Sequence, residues 1–275
     1  MTSNDRTPSA VNPYATPSSD AIELSHFPMT HRTNLIGKFG EAIRLLSNHL
    51  VLFSAIILTV WLPGNLLINY LAYYVYSEDE IVNLMRSTMW IEGIFGPIYI
   101  GAMIHVLWKL KTGEYVSYSE AIGVGIRNWG RLFVARLVAG LIITLGFIVF
   151  VIPGIVLQVR YALLDSAVVL EGAGAHRATV RSTELTDGMR WPIFFAAIGF
   201  FVPYLFLSFA IYLPVDLYPQ LDTMATSVVM DCFLDIAYAI IQIVMFLFYW
   251  EAVANETSST GPAPGTAEGP TAVTG

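Results

Sequence analysis

One stretch of the chain decides its fold. Residues Ile152–Phe194 read IPGIVLQVRYALLDSAVVLEGAGAHRATVRSTELTDGMRWPIF. A Pro-Gly step interrupts an apolar run, a polar segment with several arginines follows, and Trp191 leads into further apolar sequence. Basic connections and a tryptophan at the start of an apolar run are typical of a chain that crosses a membrane several times.

The composition supports this class. Of 275 residues, 55% are hydrophobic and 13% charged, and the mean hydropathy is +0.61. Soluble globular domains carry about 25% charged residues. The net charge of −7 leaves no basic face for a nucleic acid, so we expect no such partner. The single cysteine, Cys232, can form neither an intrachain disulfide nor a cysteine-based metal cage.

Six apolar runs are long enough to cross a hydrocarbon layer of about 30 Å. We predict spans at residues 50–76, 88–108, 132–152, 155–170, 191–213 and 225–250. As a single helix, residues 132–170 would be about 58 Å long, so two spans with a structural turn at Pro153 and Gly154 are predicted instead.

The predicted fold class is therefore all-α, a polytopic membrane helix bundle in residues 31–253. Residues 1–30 and 254–275 are rich in Pro, Gly, Ser and Thr, and we expect them to be disordered tails.

The distribution of charge orients the bundle. Arg32, Lys38 and Arg44 precede the first span, whereas the segment after it carries Glu78, Asp79 and Glu80. Because cytoplasmic connections carry an excess of Lys and Arg, we expect the N-terminus to lie in the cytoplasm. Six spans return the C-terminus to the same side of the cell membrane.

Two apolar stripes at helical spacing fall on the predicted cytoplasmic side, in residues 35–46 and 118–129. The second begins with a capping box, Ser117 to Glu120. Both are predicted to be amphipathic helices at the inner surface, where they either contact lipid or pack on the span bundle.

A family resemblance is carried by five short motifs. They are Ile152–Ile155 (IPGI), Glu171-Gly172, Arg181-Ser182, Leu185–Gly188 (LTDG) and Trp191. Their order resembles the multi-pass membrane domain attached to some glycerophosphoryl diester phosphodiesterases, a domain that also occurs alone in bacterial and archaeal membrane proteins. The likeness covers about residues 110–215. It departs where those proteins often carry a proline before the Glu-Gly pair, since this chain has Asp165–Ala167 there. The resemblance implies a fold and not an activity.

No pattern typical of catalysis is visible. The five histidines are scattered singly along the chain, at His26, His31, His49, His105 and His176. A metal-assisted hydrolase needs a cluster of histidines and carboxylates, which these positions do not supply. We therefore expect no enzyme activity, no catalytic residues, no metal site and no cofactor.

The strongest indication of function in the sequence comes from ionisable residues inside the apolar runs. They are Glu92, Arg160, Asp165, Asp231 and Asp235. A charge at the centre of a bilayer costs about 2.5–3.5 kcal/mol on insertion scales, so such groups usually face the bundle interior and pair. We predict an intramembrane polar cluster. It forms either a proton or cation path, or a cavity for a lipid head group, or an Arg160–carboxylate pair that only fixes helix packing.

Four arginines on the predicted cytoplasmic side are candidates for contacts with lipid head groups. They are Arg127, Arg131, Arg177 and Arg181. Paired N–H donors of arginine suit phosphate oxygens. Alternatively, they only orient the protein and bond to Glu184 or a neighbouring loop.

Two functions stay open at this point. The first is a non-enzymatic membrane module that scaffolds, senses or organises lipid or a partner protein. The second is a small transporter or channel that uses the buried carboxylates. The expected partners are the bilayer, its anionic head groups and another membrane protein.

Overall fold

The computed structural model describes residues 34–260, and within that range the chain forms helices and short connections without a β-strand. The α-helices are α1 (Leu35–Asn48), α2 (Leu50–Tyr70), α3 (Ile81–Thr112), α4 (Tyr118–Val149), α5 (Val151–Arg160), α6 (Leu164–Leu170), α7 (Ala175–Leu185), α8 (Arg190–Leu217) and α9 (Met224–Thr260). The predicted tail at residues 1–30 lies outside the described residues.

Six segments of this range are long and apolar enough to cross a membrane. They are Leu50–Val75, Ile81–Thr112, Tyr118–Val149, Val151–Leu170, Arg190–Val215 and Met224–Glu256. The all-α fold with six spans is thereby confirmed, including a single first span that continues through Pro63. The helices α3 and α4, each 32 residues long, extend well beyond the predicted spans at 88–108 and 132–152.

Helices α3 and α4 form a closely packed antiparallel hairpin. Gly113, with φ of 75°, ends α3 in the left-handed conformation that glycine adopts without strain. The Ser117 side chain then accepts a hydrogen bond from the Glu120 amide and starts α4. Gly125 of α4 lies so close to α3 that an added Cβ would be 2.3 Å from the Ile98 carbonyl oxygen. This contact fixes which residues of α3 and α4 face one another.

The segment 118–129 is not a separate surface helix, contrary to our expectation. It is the first part of α4, which continues without a break to Val149. Ala121, Val124 and Asn128 face the bundle and are buried, whereas Tyr118 and Ile126 of the predicted stripe stay exposed. In contrast, α1 is a helix of its own, which ends before α2 begins at Leu50. Its polar face is not wholly exposed, because Lys38 is buried against α9.

The turn between the third and fourth spans lies at Phe150, so the turn predicted at Pro153 and Gly154 is three residues too late. Phe150 is extended, with φ of −160° and ψ of 155°. Pro153 falls in the first turn of α5, where its missing N–H leaves no helical hydrogen bond unmade. Gly154 allows close packing instead, since an added Cβ would be 2.4 Å from the Phe147 ring of α4.

The fourth span is broken between α5 and α6. The Ser182 hydroxyl of α7 donates to the Arg160 carbonyl (2.7 Å) and accepts from the Leu163 amide (3.2 Å). Backbone groups freed inside a membrane protein must find such internal partners, so α7 completes the hydrogen bonding of this break.

The last helix is longer than predicted. Helix α9 continues to Thr260, so the tail expected from residue 254 begins too early, and its residues 261–275 lie outside the described range. The reason is a tertiary contact, because Glu256 binds Arg181 of α7. The short polar residues that follow residue 254 do not reveal the contact between Glu256 and Arg181 in the sequence.

One end of the bundle is held by ion pairs. Lys38 of α1 donates to Glu251 of α9, and both side chains are buried. Lys111 of α3 donates to Glu41 of α1 over 2.5 Å. The end where α1, α7 and the last turns of α9 meet is called the α1 end below. Our topology assigns it to the cytoplasm, and that orientation stays a prediction.

Candidate intramembrane binding chamber

A cavity of about 500 Å³ lies among the spans, and we call it the acidic chamber. Three carboxylates line it: Glu92 from α3, and Asp231 and Asp235 from α9. Asp231 and Asp235 are half-buried, whereas Glu92 lies at the exposed edge. Asp235 is eleven residues into α9, or about 16 Å along the helix, so the chamber extends well inside this candidate span.

Neutral donors from α2 hold the two aspartates. Asn65 donates to Asp235 and Asn69 donates to Asp231, each over 2.7 Å. The Tyr212 hydroxyl of α8 donates to the second oxygen of Asp231 over 2.5 Å. Both the asparagines and the aspartates are four residues apart, so each pair shares one face of its helix. These donors orient the carboxylates without neutralising them.

Arg136 of α4 is the one basic residue in the lining of the acidic chamber. Its Nε lies 3.5 Å from Asp165 Oδ1, so part of its charge serves a carboxylate outside the chamber. With all carboxylates ionised, three negative charges face one shared positive charge. The chamber is therefore suited to a positively charged occupant.

Four aromatic side chains complete the lining: Trp61, Tyr99, Tyr204 and Tyr238. Trp61 and Tyr99 meet edge to face with ring centroids 6.1 Å apart, and Tyr204 and Tyr238 do so at 5.8 Å. Tyr99 is only 2% exposed, yet its hydroxyl has no hydrogen-bond partner among the described residues. A buried hydroxyl left unpaired costs about 1–3 kcal/mol, which a ligand or water able to form a hydrogen bond would recover.

The geometry does not suit a bare metal ion. Within residues 34–260, no three His, Cys, Asp or Glu side chains are arranged to hold a metal. The carboxylates surround a space rather than converge on one point.

The structure brings some residues of the predicted polar cluster together and not others. Glu92, Asp231 and Asp235 do line one cavity, and Asp165 lies beside it through Arg136. Arg160 is not a member, because no ion pair joins it to a carboxylate in the described range and its carbonyl is bound by α7 instead. The proposed Arg160–carboxylate pair is therefore wrong.

Several chamber residues were missed in the sequence. Arg136 is not among the predicted site residues, although its side chain, 42% exposed, lines the chamber from α4. Asn65 and Asn69 had a visible signal, since two amides four residues apart are unusual in an apolar run. Tyr99 could not be predicted from the sequence, because a tyrosine in a span indicates no particular contact.

The predicted lipid contacts have different surroundings. Arg181 Nε bonds to Glu171 at 2.9 and 3.0 Å, and its two terminal nitrogens bond to Glu256 at 2.8 and 2.7 Å. The hydrogen bonds to Glu256 are the main reason that the pKa of Arg181 is raised. Arg181 thus joins α7 to α9, with Glu184 more distant at 3.9 Å.

Arg131 donates to the Gly172 carbonyl over 3.4 Å. Lipid contact at these residues, and at Arg127 and Arg177, stays a prediction.

Comparisons with known proteins place the chain among membrane proteins. The family described as "Domain of unknown function (DUF7847)" matches residues 110–256, more than half of the chain. UPF0259 membrane proteins from Yersinia pestis (strain Pestoides F) and Yersinia pseudotuberculosis (serotype O:1b, strain IP 31758) are similar. Each is 24% identical over 192 residues, which cover 68% of this chain and 72% of the relative. No solved structure matches. These matches support a multi-pass membrane protein but carry no link to a phosphodiesterase, so that resemblance stays a prediction.

Proposed function

The chain belongs to the DUF7847 family and is an integral membrane protein, and we propose that it is a non-enzymatic small transporter that binds a positively charged solute in the acidic chamber. The observation that carries this proposal is the chamber itself. It combines three carboxylates, one shared guanidinium and an unpartnered tyrosine hydroxyl inside the span bundle.

The arrangement of charge favours binding over a packing role. A pair that only fixes helix register is expected to be dry and neutral, because unpaired charge inside a membrane is costly. Here Asp231 and Asp235 are held by amides and a hydroxyl, and a cavity lies beside them. The carboxylates are thus directed at an open space, where a cation would stabilise their ionised form.

The scaffold hypothesis has less support from the geometry. Its expected working surface, residues 118–129, is the beginning of α4 rather than a helix of its own at the membrane surface, and only Tyr118 and Ile126 of its large apolar residues are exposed. Arg181, its expected lipid contact, is already bound by Glu171 and Glu256. Transport through the chamber therefore becomes the favoured function.

Flux of a simple organic cation tests the proposal. The full chain would be reconstituted in liposomes with an inside-negative potential, and uptake of radiolabelled tetramethylammonium measured. We expect Asp231→Asn and Asp235→Asn each to lower uptake by roughly tenfold or more, a change of about 1.4 kcal/mol or more in cation stabilisation. Asp79→Asn is the matched control, because Asp79 is exposed and lies outside the chamber.

Folding must be checked separately in each variant by gel filtration and thermal unfolding. Full uptake by a folded Asp231→Asn, Asp235→Asn double variant would overturn the proposal. So would saturable binding of the cation by the native protein without any protein-dependent flux.

A further inference from the structure

A second cavity, of about 720 Å³, adjoins the acidic chamber. It lies between α4, α5 and α6 on one side and α8 and α9 on the other, and we call it the apolar groove. Most of its lining is aliphatic or aromatic, including Ile143, Ile155, Phe194, Ile198, Phe201 and Met245. Both cavities fall within the roughly 300–1,000 Å³ that small-molecule sites occupy.

The two cavities meet at three residues. Arg136, Tyr238 and Gln242 line both of them. The two cavities are therefore adjacent, and only the side chains of these residues need to move for one molecule to occupy both. The joint site is polar at one end and apolar at the other.

The apolar groove also reaches the outer surface of the bundle. Phe201, Val202 and Leu205 of α8 line it and are exposed, Leu205 to 70%. In a span, exposed apolar side chains face the lipid, because the hydrocarbon layer surrounds the bundle. The groove is thus open to a molecule that is already dissolved in the membrane.

We propose that the solute is an amphipathic organic cation, a single-chain alkylammonium, with its head group in the acidic chamber and its hydrocarbon chain in the apolar groove. This inference rests on the proposed function, which requires only that a cation bind in the chamber. It adds the chemical class of the solute and a second binding surface.

The head group is identified by what surrounds the chamber. Ammonium groups bind to carboxylates and also to the faces of aromatic rings, as in the aromatic cages that hold quaternary ammonium ligands. Trp61, Tyr99, Tyr204 and Tyr238 provide such rings beside Asp235. Lack of a three-ligand metal arrangement in residues 34–260 also favours an organic cation over a bare ion.

The charges of the apolar groove explain the direction of binding. Asp165, the carboxylate in its lining, is 3.5 Å from Arg136 and so is already paired. The unpaired negative charge is left on the chamber side, with Asp231 and Asp235. An alkylammonium ion is therefore expected to place its charge in the chamber and its chain in the groove.

Two cations with the same head group test this inference. Binding of radiolabelled tetramethylammonium and dodecyltrimethylammonium would be measured on the full chain in zwitterionic nanodiscs, with empty nanodiscs subtracted. Gly140→Leu is the groove variant, because Gly140 lines the groove and an added Cβ meets no atom within 4 Å. Gly130→Leu is its matched control, since Gly130 is also in α4, has equally open space and lines neither cavity.

We expect Gly140→Leu to weaken binding of the long-chain cation by roughly tenfold and to leave tetramethylammonium within about twofold, while Gly130→Leu changes neither. Asp235→Asn should weaken both cations. If Gly140→Leu and Gly130→Leu bind the long-chain cation equally, the chain does not lie in the groove, although the chamber proposal stands. Equal loss of both cations in Gly140→Leu would also overturn the inference. If Asp235→Asn leaves the binding of both cations unchanged, the proposed function is refuted instead.

Discussion

Replacement of Gly125 by alanine is expected to separate α3 from α4. An ideal Cβ at this position would be 2.3 Å from the Ile98 carbonyl oxygen and 3.2 Å from the Ala102 amide nitrogen. Both neighbours are backbone atoms of α3, so no side-chain rotation can relieve the overlap. The two helices have to move apart.

The size of the effect follows from that geometry. Overpacking a well-packed interior typically costs about 1–3 kcal/mol, and occasionally more. Since the obstacle at Gly125 is a helix backbone, we expect about 3 kcal/mol of destabilisation, the upper end of that range. The same movement would displace Glu92 on α3 relative to Arg136 on α4, so cation binding should fall as well.

Thermal unfolding of the purified protein in detergent measures the difference. Gly130→Ala is the matched control, because an added Cβ there meets nothing within 4 Å. Alanine is a better helix former than glycine by about 1 kcal/mol, so this control should be neutral or slightly stabilised. If the two variants unfold at the same temperature, the close approach of α3 and α4 is refuted.

Three further outcomes are expected. Arg181→Lys should lower stability by about 2 kcal/mol in thermal unfolding, because a single ammonium cannot keep both charge-assisted pairings. Ser77→Ala should raise the pKa of Glu80 part of the way towards its ordinary value of 4.5 in an NMR titration, because the amide of residue 77, the larger cause of the lowered pKa, still donates to Glu80 whereas the hydroxyl is lost. With cysteine introduced in a Cys232→Ala background, an impermeant maleimide should label Asp79→Cys but not Tyr115→Cys in intact cells.

For each of these predictions, one specific result would contradict the reasoning. A stability of Arg181→Lys equal to that of Arg177→Lys would mean that the bonds to Glu171 and Glu256 contribute nothing. In the native chain, the lowered pKa of Glu80 stabilises the fold above pH 4.5, and that contribution is lost as the pH falls. An unchanged pKa in Ser77→Ala would contradict this coupling. Labelling of Tyr115→Cys alone would reverse the orientation.

The number of spans could be predicted because each crossing needs about 20 apolar residues, a requirement that is local in sequence. Helix ends were harder to predict. Nothing between Trp129 and Leu132 breaks a helix, so α4 continues where a surface helix and a span were expected. The turn at Phe150 depends on contact between α4 and α5, which a Pro-Gly step three residues later does not reveal.

The acidic chamber could be predicted only in part for a related reason. Asp231 and Asp235 share a helix face, and helical spacing alone brings them together. Their partners depend on how different helices pack. The contact at Gly125 sets the position of Arg136 beside the chamber. At the break after α5, the Arg160 carbonyl accepts a hydrogen bond from Ser182 of α7.

The ion pairs at the α1 end set an order of events during biosynthesis. Lys38 and Glu251 are 213 positions apart, so Lys38 is synthesised long before its counter-ion. At about 5–20 residues per second, the wait is roughly 10–40 s. Until α9 arrives, the sites that will bury Lys38 and join Arg181 to Glu256 are incomplete. Premature termination before α9 would leave Lys38 without Glu251 and Arg181 with Glu171 but without Glu256.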